Sequence, residues 1–419
     1  MEQFQVLIIG GGTAGITVAA QLLKKDPTLR LGIIEPSEEH YYQPAWTLVG
    51  AGTFDYAATV KKEQKFIPKG AHWIKDYAQE IDAKHNLVKT RDGSSLKYDY
   101  LVVAVGVQYD WKAIPGLKES IGKGGVTTNY DKRYVKYTWE LLQNFKGGNA
   151  LFTQPHTPIK CGGAPQKIMY LAEHYFRKQG VRDKTNVIFA TPGSVIFGVQ
   201  PFKKFLEGII KDRKIFARFL HKLVEIRPVQ REAVYQVTNL EGRQLTEEDI
   251  DKNIGMRLEG TDKVVIPYEM IHLAPPQSAP DFIKSSPLAK ADDPYGWVDV
   301  DKNSLQHVRY PNVFSLGDVA GTPNAKTGAA VRKQAPIVVN NLMSLMKKHP
   351  LNGAAGYDGY SSCPIVTGYG KMLLAEFNYE NKATPSLPID TSKSRWSMWI
   401  LKKYILPWFY WHRMLKGKG

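Results

Sequence analysis

The chain has 419 residues, 43% hydrophobic and 23% charged, an ordinary globular composition with length for two or three domains with real cores. That excludes a disordered or fibrous protein, and no apolar run is long enough to cross a bilayer as a helix. A formal net charge of +16 points to an anionic partner, whether nucleic acid, a membrane face or an acidic ligand.

Residues 5–9 (Gln-Val-Leu-Ile-Ile) read as a buried strand. The turn Gly10-Gly11-Gly12-Thr13-Ala14-Gly15 follows, then an amphipathic helix over 16–23, and a second strand over 30–34 that ends on Glu35. In this GxGxxG βαβ unit Gly10 allows the tight turn, Gly12 lets the backbone approach a pyrophosphate, and Gly15 lets helix and strand pack closely. The helix N-terminus offers unpaired N–H groups to the anion. Glu35, twenty residues past Gly15, is placed to bind a ribose diol. A bare glycine motif carries little weight, but here strand, helix, second strand and acid all fall at the required spacing, so a dinucleotide is expected. With a strand starting so close to Met1, no signal or transit peptide is expected in this chain.

Next comes an aromatic loop, Tyr41-Tyr42-Gln43-Pro44-Ala45-Trp46, placed to lie over a bound cofactor. Residues 71–78 and 87–90 read as strands, with a hairpin turn at Arg91-Asp92-Gly93-Ser94. A buried strand over 98–106 ends in Gly106, and a helix is expected over about 132–144. A second α/β unit starts at Asn149, with a strand over 149–153, a glycine turn at Cys161-Gly162-Gly163-Ala164-Pro165, a helix over 166–178 and a strand over 186–190. Its equivalent of the first glycine turn, near 191–198, has no GxGxxG, so this half is expected to keep a nucleotide-binding shape without a nucleotide. Residues 222–273 are strand-rich, with a polar insert near 240–253. The α/β pattern returns at 297–301 and 311–318, where a short strand ends in Gly317-Asp318; a helix opens at Lys326, with Pro336 expected to kink it. These readings give an α/β protein of two Rossmann-like domains. Residues 1–110 and 295–350 form the first, 111–294 the second, and 351–419 a C-terminal segment.

That segment ends in a basic aromatic tail. Over 391–419 there is no Asp or Glu, but Lys393, Arg395, Lys402, Lys403, Arg413, Lys416 and Lys418 are interleaved with Trp396, Trp399, Trp408 and Trp411. The pattern fits two short helices broken by Pro407 and lying in the headgroup region of a membrane. The alternative is a C-terminal helix packed on the core, which rarely carries so many Trp beside so many cations. Nucleic acid is disfavoured, since no recognised binding module appears.

There are two cysteines, Cys161 and Cys363, and from the count alone two inert buried thiols are the default. Context moves Cys161: it precedes a helix N-terminus, with Lys160 and Lys167 on either side, a setting that favours the thiolate. Cys363, in Ser361-Ser362-Cys363-Pro364, reads as part of a turn rather than a core run. The absence of CxxC excludes a vicinal dithiol, and the ten histidines form no HxH or HExxH, so no metal is assigned.

The GxGxxG with Glu35, the Ala104-Val105-Gly106 strand end and Gly317-Asp318 together look like a flavoprotein with two dinucleotide-binding domains. More specifically, the stretch from Tyr42-Gln43-Pro44 to Gly50-Ala51-Gly52, the stretch Lys160-Cys161-Gly162-Gly163-Ala164-Pro165-Gln166-Lys167 and the stretch Tyr360-Ser361-Ser362-Cys363-Pro364 to Gly368-Tyr369 resemble the sulfide:quinone oxidoreductase family, in particular its mitochondrial type. The resemblance covers nearly the whole chain. It implies FAD against Gly10, Gly12, Thr13, Ala14 and Gly15, with Glu35 at the adenosine ribose, Gln43 in the covering loop and Ala78 at the adenine. Gly106, Gly317, Asp318 and Lys326 would line the rest of the cofactor site. The third cysteine that anchors FAD covalently in some bacterial relatives has no counterpart, so FAD is expected to be non-covalent.

The resemblance further implies a sulfur bridge between Cys161 and Cys363. Hydrosulfide would add at Cys363, leaving Cys161 as a thiolate facing the flavin. Electrons would pass to a membrane quinone, and the sulfane sulfur to a small acceptor such as sulfite, a thiol or a second sulfide. Lys160 and Lys167 are candidates for attracting anionic sulfide, with at least one expected to be a solvated surface lysine. Tyr369, Phe377 and Tyr379 are candidates for the quinone pocket wall, in competition with simple packing. A peripheral, monotopic location is expected, on a bacterial cytoplasmic membrane or the mitochondrial inner membrane, with homo-oligomer formation left open. Three other readings compete. A flavocytochrome sulfide dehydrogenase subunit would share the thiol chemistry but pass electrons to a haem partner, which the membrane tail disfavours. A type II NADH:quinone dehydrogenase would need a second nucleotide fingerprint and no cysteine pair, and a non-enzymatic membrane-associated flavoprotein would leave the cysteines structural.

Overall fold

The computed structural model describes residues 1–323, 326–351 and 356–419. Val6, Leu7, Ile8 and Ile9 are all buried because β1 (Glu2–Ile9) lies between two parallel neighbours, β2 (Leu31–Ile34) and the strand Ser95–Val103. A strand covered on both faces needs apolar residues at every position, which is why the run does not alternate. The sheet order is Ala71–Ile74, β2, β1, Ser95–Val103, Leu87–Thr90, Ala78–Asp82, and Val313–Ser315 also pairs with Ser95–Val103. The expected strand over 71–78 is therefore two strands on opposite edges of the sheet, and the chain crosses between them at residues 75–77. Helix α1 (Thr13–Lys25) buries Ile16, Val18, Ala19, Leu22 and Leu23 and packs on the helix Gly328–Met346, which runs on through Pro336. A side chain at Gly15 would collide with the carbonyl of Gly10, and one at Gly10 with that of Ala104, so the turn closes only with glycine.

A second, all-parallel sheet runs in the order Val126–Thr127, Met270–Leu273, Gly148–Thr153, Thr185–Ala190, Phe216–Arg218. Residues 221–267 add a four-stranded antiparallel sheet. On the second sheet lies the helix Ala164–Lys178, with Pro165 in its first turn, where a missing N–H costs nothing.

Two expectations about the C-terminal segment are corrected. Cys363 is not in a turn. It lies within the strand Ser361–Gly368, opposite Ala375 of Lys371–Phe377, and is 3% exposed. Pro364 is tolerated because this sheet has only two strands, so its missing N–H can face an unpaired edge. The tail is not broken at Pro407 either. Residues 396–412 are continuously helical, with a π turn at Leu401–Ile405 that widens the backbone just ahead of the proline. One face buries Met398, Trp399, Lys402, Tyr410 and Trp411, while Trp396, Tyr404, Ile405 and Trp408 are exposed. Lys402, expected among the headgroup cations, therefore belongs to the interior. Among the described residues no helix is long and apolar enough to cross a membrane.

Candidate active site

Cys161 sits in the left-handed region (φ 52°), held there by its N–H donating to the Lys326 carbonyl at 2.8 Å. Ala164 N–H donates back to the Cys161 carbonyl, so the cysteine immediately precedes the helix Ala164–Lys178. Gly163 makes room for the second sulfur, because a Cβ there would collide with Cys363 Sγ. Strand and helix thus bring the two cysteines together as free thiols.

Two buried lysines face them. Lys167, the fourth residue of the same helix, is 3% exposed and its Nζ donates to Cys161 Sγ at 3.0 Å. Lys402 reaches in from the tail, and its Nζ donates to the Pro44 carbonyl of the covering loop at 2.9 Å. The hydrogen bond from Cys363 holds the Cys161 thiol well below its ordinary range; Lys167 and Lys402 add to this and burial opposes it. The same bond, with burial, pushes Cys363 well above its ordinary range. Burial depresses the Lys167 ammonium, but the two sulfurs outweigh it and the net direction is up. Burial and the neighbouring Lys167 push Lys402 down to about 7, with the sulfurs opposing. The Lys167 ammonium at 3.0 Å thus favours the anion on Cys161 over one on Cys363.

Sequence reasoning missed Lys402 and also Tyr130, whose hydroxyl donates to the Cys161 carbonyl at 3.3 Å. The available signal for Lys402 was helical spacing, since it shares a face with Trp399 and Tyr410. Of the two lysines flanking Cys161, Lys160 is the more exposed; it donates to Gln43 Oε1 and lies 5.0 Å from the ring centre of Tyr109.

The remaining candidates run from this pair to the glycine turn. Lys326 is buried, donates to the Ala320 carbonyl at 2.8 Å and lies 4.0 Å from the ring centre of Trp297. Burial pulls it down to about 8 against the pull of Asp318. Burial in turn raises the Asp318 carboxyl, with Lys160 and Lys326 opposing. Gly317 packs against Ala14 and donates its N–H to Gln334 Oε1 at 2.9 Å, which joins this wall to the first turn of α1. Glu35 accepts from the N–H groups of Gly11 and Ser37, each at 2.7 Å; burial raises its carboxyl and these bonds oppose the rise. Ala78 begins the edge strand Ala78–Asp82.

A flavin dinucleotide fits these residues. The N-cap of α1 is Gly12 with no capping side chain, and a Cβ at Gly12 or Gly106 would meet nothing within 4 Å. Five buried polar atoms nearby have no partner: Trp46 Nε1, both amide atoms of Asn129, Gln277 Nε2 and Ser278 Oγ. Gln277 accepts from Lys160 N–H through its oxygen, and Asn129 precedes Tyr130, so these orphans border the thiol pair. Buried polar atoms this numerous are expensive without a ligand, and a flat ring with polar edges is what they can satisfy.

Tyr369 and Phe377 belong to one core cluster and Tyr379 to another. Tyr369 donates its hydroxyl to the Ala51 carbonyl at 2.9 Å and stands edge-on to His174, Phe377 packs on Phe197, and Tyr379 packs on Tyr357 in a different core cluster.

Residues 4–138 match the family described as pyridine nucleotide-disulphide oxidoreductase. The chain is 43% identical to the mitochondrial sulfide:quinone oxidoreductase of Mus musculus, covering 99% of this chain and 87% of that protein. It is 44% identical to the mitochondrial sulfide:quinone oxidoreductase of Dictyostelium discoideum, covering 99% and 86%. Among solved structures, it superposes on the X-ray structure of the sulfide:quinone oxidoreductase of Aquifex aeolicus with a TM-score of 0.77 at 20% identity, covering 100% of this chain and 92% of that one. At that identity the likeness speaks to the fold alone.

Proposed function

The chain belongs to the sulfide:quinone oxidoreductase family, and on that premise we propose that Cys161 and Cys363 are the redox pair that takes sulfur from sulfide. The enzyme oxidises hydrogen sulfide with a flavin cofactor and passes the electrons to a quinone. The observation that carries the residue assignment is the pair of buried lysines, Lys167 and Lys402, set against two sulfurs.

In the oxidised pair the two cysteines are joined through sulfur. Lys167 and Lys402 draw hydrosulfide to the two sulfurs. Its sulfur attacks the sulfur on Cys363, a persulfide forms there, and the bond to Cys161 breaks with the electron pair going to Cys161 as thiolate. A low thiol pKa makes Cys161 the better leaving group, which sets the direction of attack. The persulfide proton passes to Lys402, whose value near 7 leaves it partly neutral. A small nucleophile, whether sulfite, a thiol or a second sulfide, takes the outer sulfur from Cys363 and leaves a Cys363 thiolate beside that of Cys161. As the sulfur bond between the two cysteines re-forms it releases two electrons, which a bound flavin would accept and pass to quinone. Both cysteines of the chain are used in this pair, so FAD is held without a covalent bond by the Gly10–Gly15 turn, Glu35, Gln43, Ala78, Gly106, Gly317, Asp318 and Lys326.

Anaerobic sulfide should bleach the flavin of the purified protein, and added quinone should restore it. Bleaching by NADH with no response to sulfide would overturn this reading in favour of an NADH dehydrogenase.

The exposed tail face, with Trp396, Tyr404, Ile405 and Trp408 beside Lys403 and Arg395, fits the headgroup region, and we assign the enzyme to a membrane surface. For a chain with mitochondrial relatives that is the inner mitochondrial membrane. Replacing Tyr404 and Trp408 with serine should weaken binding to anionic phospholipid vesicles at least about tenfold and leave sulfide bleaching of the flavin intact. Co-sedimentation equal to that of wild type would remove the tail from the membrane.

A further inference from the structure

The tail helix makes a second buried connection, remote from the sulfurs. The Tyr410 hydroxyl is hydrogen-bonded at once to Thr13 Oγ1 (2.7 Å), in the first turn of α1, and to His40 Nε2 (2.6 Å). The other ring nitrogen of His40 pairs with Glu63 Oε2 at 2.8 Å. His40, Glu63 and Tyr410 are 3%, 2% and 5% exposed, so the chain Thr13, Tyr410, His40, Glu63 runs through the interior. Aromatic rings close around it, with Phe66 5.4 Å from His40 and Tyr42 4.7 Å from Tyr410. The far end returns to the glycine turn, since Glu63 Oε1 would lie 3.2 Å from a Cβ on Gly11.

The sulfur chemistry uses none of these groups, yet they are buried and linked in series, with only Glu63 Oε1, beside Gly11, left without a partner. What they join is the glycine turn and the tail. The start of the turn is fixed by backbone bonds, Gly10 N–H to the Ile34 carbonyl and Gly11 N–H to Glu35, but Gly12 is an N-cap without a capping side chain, and the Thr13 hydroxyl makes the side-chain hydrogen bond that ties the turn's helix end to the tail. We infer that this network couples tail docking to dinucleotide binding. Tyr410 holds Thr13 and the turn in the conformation that accepts the diphosphate, and the bound dinucleotide holds the tail helix in place. Tyr410, His40 and Glu63 are thus positioning residues for the cofactor, acting through Thr13 and Gly11. Linkage makes the effect reciprocal: whatever loosens the tail loosens the cofactor, and the reverse. The inference rests on reading the Gly10–Gly15 turn as the dinucleotide site.

The test follows flavin release on dilution of the full-length holoprotein, by the fluorescence of the freed flavin. Thr13→Val should speed release about tenfold, the scale of one buried hydrogen bond, and Tyr410→Phe, which removes the bonds to both Thr13 and His40, at least as much. The double variant should be no faster than Tyr410→Phe alone, because that change already removes the bond to Thr13. Thr13→Ser keeps the hydroxyl and should stay within about twofold of wild type. In the reciprocal experiment, trypsin should cut wild type after Lys403 and Arg413 faster once flavin has been removed. A merely structural bond would lower thermal stability in apoprotein and holoprotein alike without changing release. Unchanged release in both single variants, multiplying effects in the double, or tail cleavage equal with and without flavin would each overturn the coupling. Should Gly12→Val keep its flavin, the assignment of the turn itself fails, and the two failures are told apart.

Discussion

A Cys161→Ser protein keeps its flavin and loses sulfide oxidation. Flavin reduction by sulfide, followed anaerobically by stopped-flow absorbance, is expected to fall at least about 10³-fold. Serine preserves the backbone that anchors position 161, whose N–H still donates to the Lys326 carbonyl, so the cofactor wall stands. What it removes is a group able to bond to Cys363 through sulfur and to leave as a stabilised anion. A hydroxyl does neither at neutral pH, and Lys167 Nζ loses the charge it faces at 3.0 Å. Cys363→Ser should be equally inactive, and the double variant no worse, because the two sulfurs act as one unit. Retention of more than about a tenth of the wild-type rate in either variant would show that sulfide reaches the flavin without the pair.

The parts of this site that sequence alone revealed are those set by local pattern. The β1, α1, β2 unit was legible because glycine spacing, helical period and the terminal Glu35 lie within one continuous stretch. Cys161 was legible because a helix start and two lysines are its sequence neighbours. Cys363 was not, because two serines and a proline read as turn residues while its strand is fixed by the distant partner Lys371–Phe377 and by a two-stranded sheet that leaves an edge for Pro364. Lys402 was misplaced for a similar reason. Its neighbours have the composition of a headgroup helix, and only docking on the covering loop turns one face of that helix inward. Tyr379 stands in a different cluster from Tyr369 and Phe377 because the strand holding Phe377 ends there, so two-residue alternation does not extend to Tyr379.

Lys167→Met is expected to slow sulfide-driven flavin reduction about a hundredfold near neutral pH, because it strands a buried anion without its cation. The sign follows from the thiol. In wild type the Cys161 thiol lies well below its ordinary range, so its leaving thiolate is available at neutral pH and the rate falls only as pH drops through that depressed value. Removing the ammonium raises the value, which moves the acid limb of the pH profile upward. It moves only part of the way to an ordinary thiol, because the hydrogen bond from Cys363, the largest contribution, is retained. Alkaline pH should therefore restore much of the rate in Lys167→Met, and Lys167→Arg should keep the limb near its wild-type position. Lys402→Met should cost less, since burial already leaves Lys402 at about 7 and its charge is only partly present when the reaction runs. A Lys167→Met profile lowered equally at every pH would mean that this lysine only packs the helix. A larger loss at Lys402 than at Lys167 would mean that proton uptake from the persulfide, rather than stabilisation of the Cys161 thiolate, limits the rate.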